Sequence, residues 1–335
     1  MTQTTQIQLT GLDPQDPLAY LASLGCLLAV SSQCLRAKLE RPTMRFDLDG
    51  VGTPTLEGPF EDAEGLLDLL VADLDELAGR GDSPRDPFLT FEYPDGSDKG
   101  VHDLKPPPDR FREFAEEQIE RASHDSRRTV DWAAAVLTDV AVDGNGGGKP
   151  FALHFTAGNQ RFLNIALELL DGCGSKAAEA PVGREDLRAA VFGPWPNDRA
   201  LKVFSWSPTQ DRAYALRAEN PADDKKLGTP GADWLALRGV GLLSSAPKRT
   251  PRGSSIQTSG VEGRWKSATF SYPIWTKPLD ADAVRSLLRH PAVRASEAKR
   301  GTDRRTLPRG VEVLTCRISR SDQGGYGAFS RPSRR

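Results

Sequence analysis

The chain has 335 residues, with 44 Lys and Arg against 46 Asp and Glu and a formal net charge of −2. That length allows one large or two modest domains, and 13 Phe with 6 Trp suffice to build cores. No run approaches the ~18 apolar residues that read as a bilayer span, and residues 1–8 are polar and uncharged, unlike a secretory signal. Membrane and exported classes are therefore set aside.

Residues 6–10 alternate apolar and polar side chains like a short strand, and Gly11-Leu12-Asp13-Pro14 turns the chain. Asp16-Pro17 predicts a helix start, a capping carboxylate followed by proline at the first helical position. The helix it opens (Leu18, Leu21, Leu24, Cys26, Leu27, Leu28) is apolar nearly all round, as a core helix is. Met44, Phe46 and Leu48 alternate as a strand, and 61–78 is an amphipathic helix. Strand, helix, strand, helix points to an α+β (mixed α/β) fold. Residues 79–109, dense in Gly, Pro and Asp, predict an irregular excursion, and 110–142 predict helix broken near Ser123-His124-Asp125. The glycine-rich 144–149 reads as a flexible connection, dividing an acidic domain, 1–145, from a second, 146–335.

In the second part, 151–155 and 201–206 read as strands, 229–239 as a helix and 269–275 as a strand. A helix over 280–289, capped by Asp280, precedes a polar surface loop, 294–309, and a last strand over 311–318. Four scattered cysteines (Cys26, Cys34, Cys173, Cys316) form no CxxC pair, which suits a reduced, cytoplasmic protein without structural metal.

The charge is unevenly distributed. Residues 241–335 hold 19 basic against 7 acidic side chains, while residues 1–240 carry 25 basic and 39 acidic. A basic end favours a polyanionic partner, because Lys and Arg that neutralise phosphates release condensed counterions. The alternative is that the two halves neutralise each other across an internal interface.

Three segments carry the candidate contacts. Phe155-Thr156-Ala157-Gly158-Asn159-Gln160-Arg161-Phe162-Leu163 reads as a strand-to-helix turn whose N–H groups could meet an anion, with Asn159, Gln160 and Arg161 as further donors. It lacks the glycines of a dinucleotide fingerprint and the lysine of a P-loop, so no nucleotide cofactor is expected. In Ser205-Trp206-Ser207-Pro208-Thr209-Gln210-Asp211-Arg212-Ala213-Tyr214-Ala215-Leu216-Arg217, the residues Arg212, Tyr214 and Arg217 combine an aromatic with cations, as a base-stacking surface does. The third runs from Lys248, Arg249 and Arg252 to Arg264, Trp265 and Lys266, and a hairpin joining 254–259 to 264–272 would bring its two basic groups together. Arg304, Arg305, Arg317 and Arg320 extend the basic end. Each segment has a plainer reading as caps, ion pairs or solvated loops.

Catalytic signals are sparse. His102, His124, His154 and His290 have no partner at metal or triad spacing. His124-Asp125 matches a phosphohydrolase dipeptide without its further ligands, and Asp223-Asp224 and Asp280 with Asp282 read as caps or solvated faces.

Leu9-Thr10-Gly11-Leu12-Asp13-Pro14, then Pro17-Leu18-Ala19-Tyr20-Leu21-Ala22-Ser23-Leu24-Gly25, resembles the opening of CRISPR-associated subunits from type I-G (formerly I-U) effector systems. The segment from Phe155 to Leu163, the run from Trp206 to Arg217 and the ending from Arg309 to Ser319 with its Gly-Tyr tail are similar to the same group. Departures are Asp16, where that pattern has Asn, and Ser205-Trp206-Ser207, where it has an aromatic-Asp-Pro. The resemblance implies a non-catalytic subunit of an RNA-guided complex that contacts guide RNA or target DNA through backbone phosphates and docks on other subunits. The alternatives kept open are a metal-dependent nuclease or guide-RNA-processing ribonuclease, and a protein-binding scaffold.

Overall fold

Asp16 starts the helix on which the rest is assembled. In the computed structural model its carboxylate accepts the Leu18 N–H at 2.8 Å, Pro17 fills the first position, and α1 (Pro17–Ala37) ends at a left-handed Lys38. The structure describes residues 4–94, 100–122, 127–156, 160–173, 179–210, 227–250, 253–294, 306–320 and 326–334. Before α1 comes β1 (Thr5–Gln8); after it come β2 (Thr43–Phe46) and β3 (Pro54–Gly58). These pair antiparallel in the order β1-β3-β2, with Ile7 and Met44 flanking Leu56.

The amphipathic α2 (Ala63–Ala78) is capped by Asp62, whose carboxylate accepts the Gly65 N–H at 2.9 Å. The break in the next helical stretch gives α3 (Pro108–Arg121) and α4 (Arg128–Val136). Further on lie α5 (Phe162–Asp171), α6 (Arg184–Phe192) and α7 (Pro230–Val240), which is buried along its whole length. A hairpin of β4 (Ser245–Thr250) and β5 (Gly253–Thr258) follows. The second sheet contains β6 (Val261–Glu262) and β7 (Ala268–Trp275). After α8 (Ala281–Leu288) and α9 (Pro291–Arg294) it is completed by β8 (Val311–Arg320), β9 (Gly327–Phe329) and β10 (Ser333–Arg334). Its order is β10-β8-β7-β6, with β9 also pairing β8. The mixed α+β architecture is thus two open antiparallel sheets and a hairpin around a helical centre.

That centre is the crossing of α1 and α7. A Cβ added to Gly25 would lie 1.8 Å from the Leu235 carbonyl oxygen, and one added to Gly239 would lie 2.0 Å from that of Leu21. Two glycines, one on each helix, therefore let the backbones touch. Beside the crossing, Arg238 of α7 and Asp73 of α2 form an ion pair that is 1% exposed on both sides, with Nε–Oδ2 at 2.9 Å and Nη2–Oδ1 at 3.2 Å. One cluster of buried apolar side chains runs from Leu9 to Phe329, so the core crosses residue 145 without interruption.

Several expectations are revised. By length and composition α1 could span a membrane, contrary to the sequence reading, yet 78% of its most apolar stretch is buried against the protein itself. Residues 151–155 and 201–206, read as strands, are mostly buried but belong to no sheet. The Phe151 N–H goes to the Val136 carbonyl, and the Phe204 N–H goes to the Asp233 carboxylate at 3.0 Å. Their largely apolar make-up was legible; the partner that replaces a neighbouring strand was not. The segment 144–149 closes on itself, Asp143 Oδ1 accepting from Asn145 and Gly147. The strand over 311–318 is not the last, since β9 and β10 follow. All four cysteines are thiols.

Candidate nucleic-acid interface

A cleft of about 920 Å³ opens between the 143–156 segment, the β4–β5 hairpin and the turn from β6 to β7. Its walls present Lys105, Lys149, Lys248, Arg264 and Arg320 against Asp143 and Glu262. The Asp143 carboxylate is committed to its own turn, and Lys149 Nζ donates to the Ser254 carbonyl at 2.8 Å. Among the described residues, no carboxylate lies within ion-pair distance of Lys105, Lys248 or Arg264.

Trp265 stands in this wall with 54% of its surface exposed. The Arg320 guanidinium lies 3.5 Å from the centre of a Trp265 ring and 5.2 Å from that of Phe155. Arg320 also donates to the carbonyls of His154 at 3.0 Å and Ala152 at 2.5 Å. Burial pushes its pKa down to about 10, leaving it charged at neutral pH. It therefore fastens the end of β8 to the cleft floor and presents the indole, more than it offers charge to a ligand.

The floor holds a small polar cluster. His154 Nε2 lies 3.0 Å from Thr156 Oγ1 and 3.5 Å from Asp103 Oδ1, and that oxygen accepts the Phe162 N–H at 3.0 Å. Burial holds His154 below its usual pKa, outweighing the opposing pull of Asp103. Burial works to raise the Asp103 carboxyl, but hydrogen bonds from His154, Phe162 and Leu104 overcome it and hold the group below its usual range. In a nucleophile relay the carboxylate and the hydroxyl meet opposite ring nitrogens; here both meet Nε2. The Phe162 N–H at the start of α5 is thus taken by the chain's own Asp103 carboxylate.

The sequence-predicted residues fall into three sets. Lys248, Arg264 and Arg320 meet in the cleft, though not by the expected hairpin: 254–258 pairs with β4, and Arg264 arrives in the turn between β6 and β7. Arg249 and Lys266 are exposed beside it, and Arg317 is exposed on β8 opposite Thr269, which lines the cleft. Gln160 and Arg161 are half-buried ahead of α5, where the Arg161 carbonyl accepts the Ile165 N–H at 3.1 Å. Asn159, Arg212, Tyr214, Arg217, Arg252, Arg304 and Arg305 lie outside the described residues, as do His124, Asp125, Asp223 and Asp224. Asp280 caps α8, and Asp282 pairs with Arg41 at 2.8 Å. Among the described residues no group of three or more His, Cys, Asp or Glu could hold a metal ion.

Sequence reasoning missed Lys105 and Lys149. Each is a lone cation in a Pro- or Gly-rich segment, and only the fold brings it to the other three. Two segments far apart in the sequence touch: Ser207 Oγ donates to Asp16 Oδ2 at 2.5 Å. No family model, curated protein or solved structure matches the chain.

Proposed function

We propose that this protein is a non-catalytic, nucleic-acid-binding subunit of an RNA-guided CRISPR interference complex, and that the cleft around Trp265 holds an unpaired stretch of strand. The observation that carries this is an exposed indole, held by Arg320, set among Lys105, Lys248 and Arg264. An unpaired base offers a free face to stack on an indole, whereas a base within a duplex has both faces covered; the cations follow the phosphates irrespective of sequence. Recognition of this kind leaves sequence reading to the guide. The assignment to a CRISPR complex rests on the resemblance of the opening segment and scattered motifs, and the acidic N-terminal part is the surface proposed to dock on other subunits.

The test is fluorescence anisotropy with single-stranded RNA, single-stranded DNA and duplex DNA across a salt series, with and without magnesium, followed by denaturing gels. Salt-steep binding that prefers single strands and leaves them intact is expected. Magnesium-dependent cleavage would replace this reading with the nuclease. Absence of binding at low salt, alone and in the assembled complex, would replace it with a protein scaffold.

A further inference from the structure

A second, smaller cavity, of about 110 Å³, lies between the C-terminal half of α1 and the starts of α4 and α8, with Arg238 of α7 on its wall. Six guanidinium groups line it: Arg36, Arg41, Arg127, Arg128, Arg238 and Arg285. Only three carboxylates, Asp131, Asp280 and Asp282, share the lining. The acids that pair with Arg36, Arg128 and Arg238 are Glu76, Asp86 and Asp73, and they stand outside it. The whole network is nearly balanced, but the face turned to the cavity is rich in cations.

Two nitrogens of these arginines, just behind the lining, are unsatisfied. Arg128 Nη1 and Arg285 Nε are buried and have no hydrogen-bond partner among the described residues. The other nitrogens of Arg285 are committed, Nη1 to the Gly241 carbonyl and Nη2 to Asp131 Oδ2, both at 2.9 Å. Burial, together with the neighbouring cations Arg127 and Arg289, holds Arg285 below the usual arginine range despite Asp131. Orphaned buried donors are rare in folded proteins and call for an acceptor. A tetrahedral oxyanion supplies several acceptors at once, and arginine forks match its geometry.

We propose that this cavity binds a single phosphate group, as the free ion or as the terminal phosphate of a strand. It is entered past Arg41 and Arg127, whose side chains are 50% and 60% exposed. The site shares no lining residue with the Trp265 cleft and does not depend on it.

Isothermal titration of the full chain with inorganic phosphate, against chloride at matched ionic strength, tests the proposal. One saturable site is expected, with a phosphate-specific rise in Tm. Arg285→Gln should weaken it at least ~10-fold, as loss of a charge-assisted donor does. Should that variant fail to fold, the exposed pair Arg41→Gln and Arg127→Gln decides, since removing both rim cations must lower the affinity. Trp265→Ala should leave phosphate binding unchanged, which separates this site from the cleft. Displacement of phosphate by a terminally phosphorylated oligonucleotide, but not by its unphosphorylated counterpart, would assign the ligand to a strand end. Phosphate that binds and stabilises no better than chloride, or binding untouched by the arginine variants, would overturn the proposal.

Discussion

Replacing Gly25 by alanine should destabilise the protein severely, although the same change in an ordinary helix interior is favourable by ~0.5–1 kcal/mol. The new methyl carbon would stand 1.8 Å from the Leu235 carbonyl oxygen and 2.7 Å from its carbon. An ordinary C···O contact is about 3.3 Å, so α1 and α7 must part by roughly 1.5 Å. Both partners are backbone, so no side-chain rotation relieves the clash. A gap of ~0.5–1 Å already forfeits a quarter to a half of a contact's dispersion energy, and here it would open where buried α7 crosses the buried stretch of α1. Overpacking of this kind costs typically ~1–3 kcal/mol, and more where repacking is blocked; we expect ~3 kcal/mol or more, net of the propensity gain. Urea unfolding followed by circular dichroism should show the midpoint falling by ~1 M, for a slope near 3 kcal/mol/M. Gly144→Ala is the control, because a methyl group there meets nothing within 4 Å. If Gly25→Ala unfolds at or above the wild-type midpoint, the helices do not cross at these glycines.

Trp265→Ala should weaken single-strand binding by ~1–3 kcal/mol with the salt slope unchanged. Neutralising Lys105, Lys248 and Arg264 together should flatten that slope by ~2, given ~0.7 per phosphate contact on single strands; anisotropy titrations separate the two effects. Asp73→Ala leaves Arg238 buried without its partner and should cost ~3–5 kcal/mol in chemical denaturation. Burial raises the Asp16 pKa from 3.8 to about 6, against the hydrogen bonds from Ser207 and Leu18. The folded state therefore holds that proton more tightly than the unfolded one, and stability from this group is lost as pH rises through that window, by no more than ~1.4 kcal/mol per pH unit. The stability–pH curve of Asp16→Asn should lack this slope, and curves of identical shape would refute the assignment.

The fold was legible wherever a local device sets an element. Asp16-Pro17 and Asp280 each announce a helix start that the structure keeps, because a cap is a contact between near neighbours in sequence. Strand pairing was harder. The runs 151–155 and 201–206 are mostly buried, yet the Phe151 N–H ends on a helix carbonyl and the Phe204 N–H on a helix carboxylate, partners that no local pattern reveals. The cleft was half legible. Lys248 and Arg264 lie in a visibly basic stretch, whereas Lys105 and Lys149 acquire meaning only through the fold. The charge count of the last ninety or so residues also overstates what a ligand can use. Arg320 belongs to that excess, and it is turned inward onto two backbone carbonyls.

The meeting of Gly25 with Gly239 also sets a problem of timing during synthesis. About 210 residues separate the two glycines, and at ~5–20 residues per second α7 is made ~10–40 s after α1. Throughout that interval a long, apolar helix has left the ribosome without the surface that covers it. Nascent chains halted before residue 230 should therefore bind chaperones and aggregate, and chains extended past α7 should not.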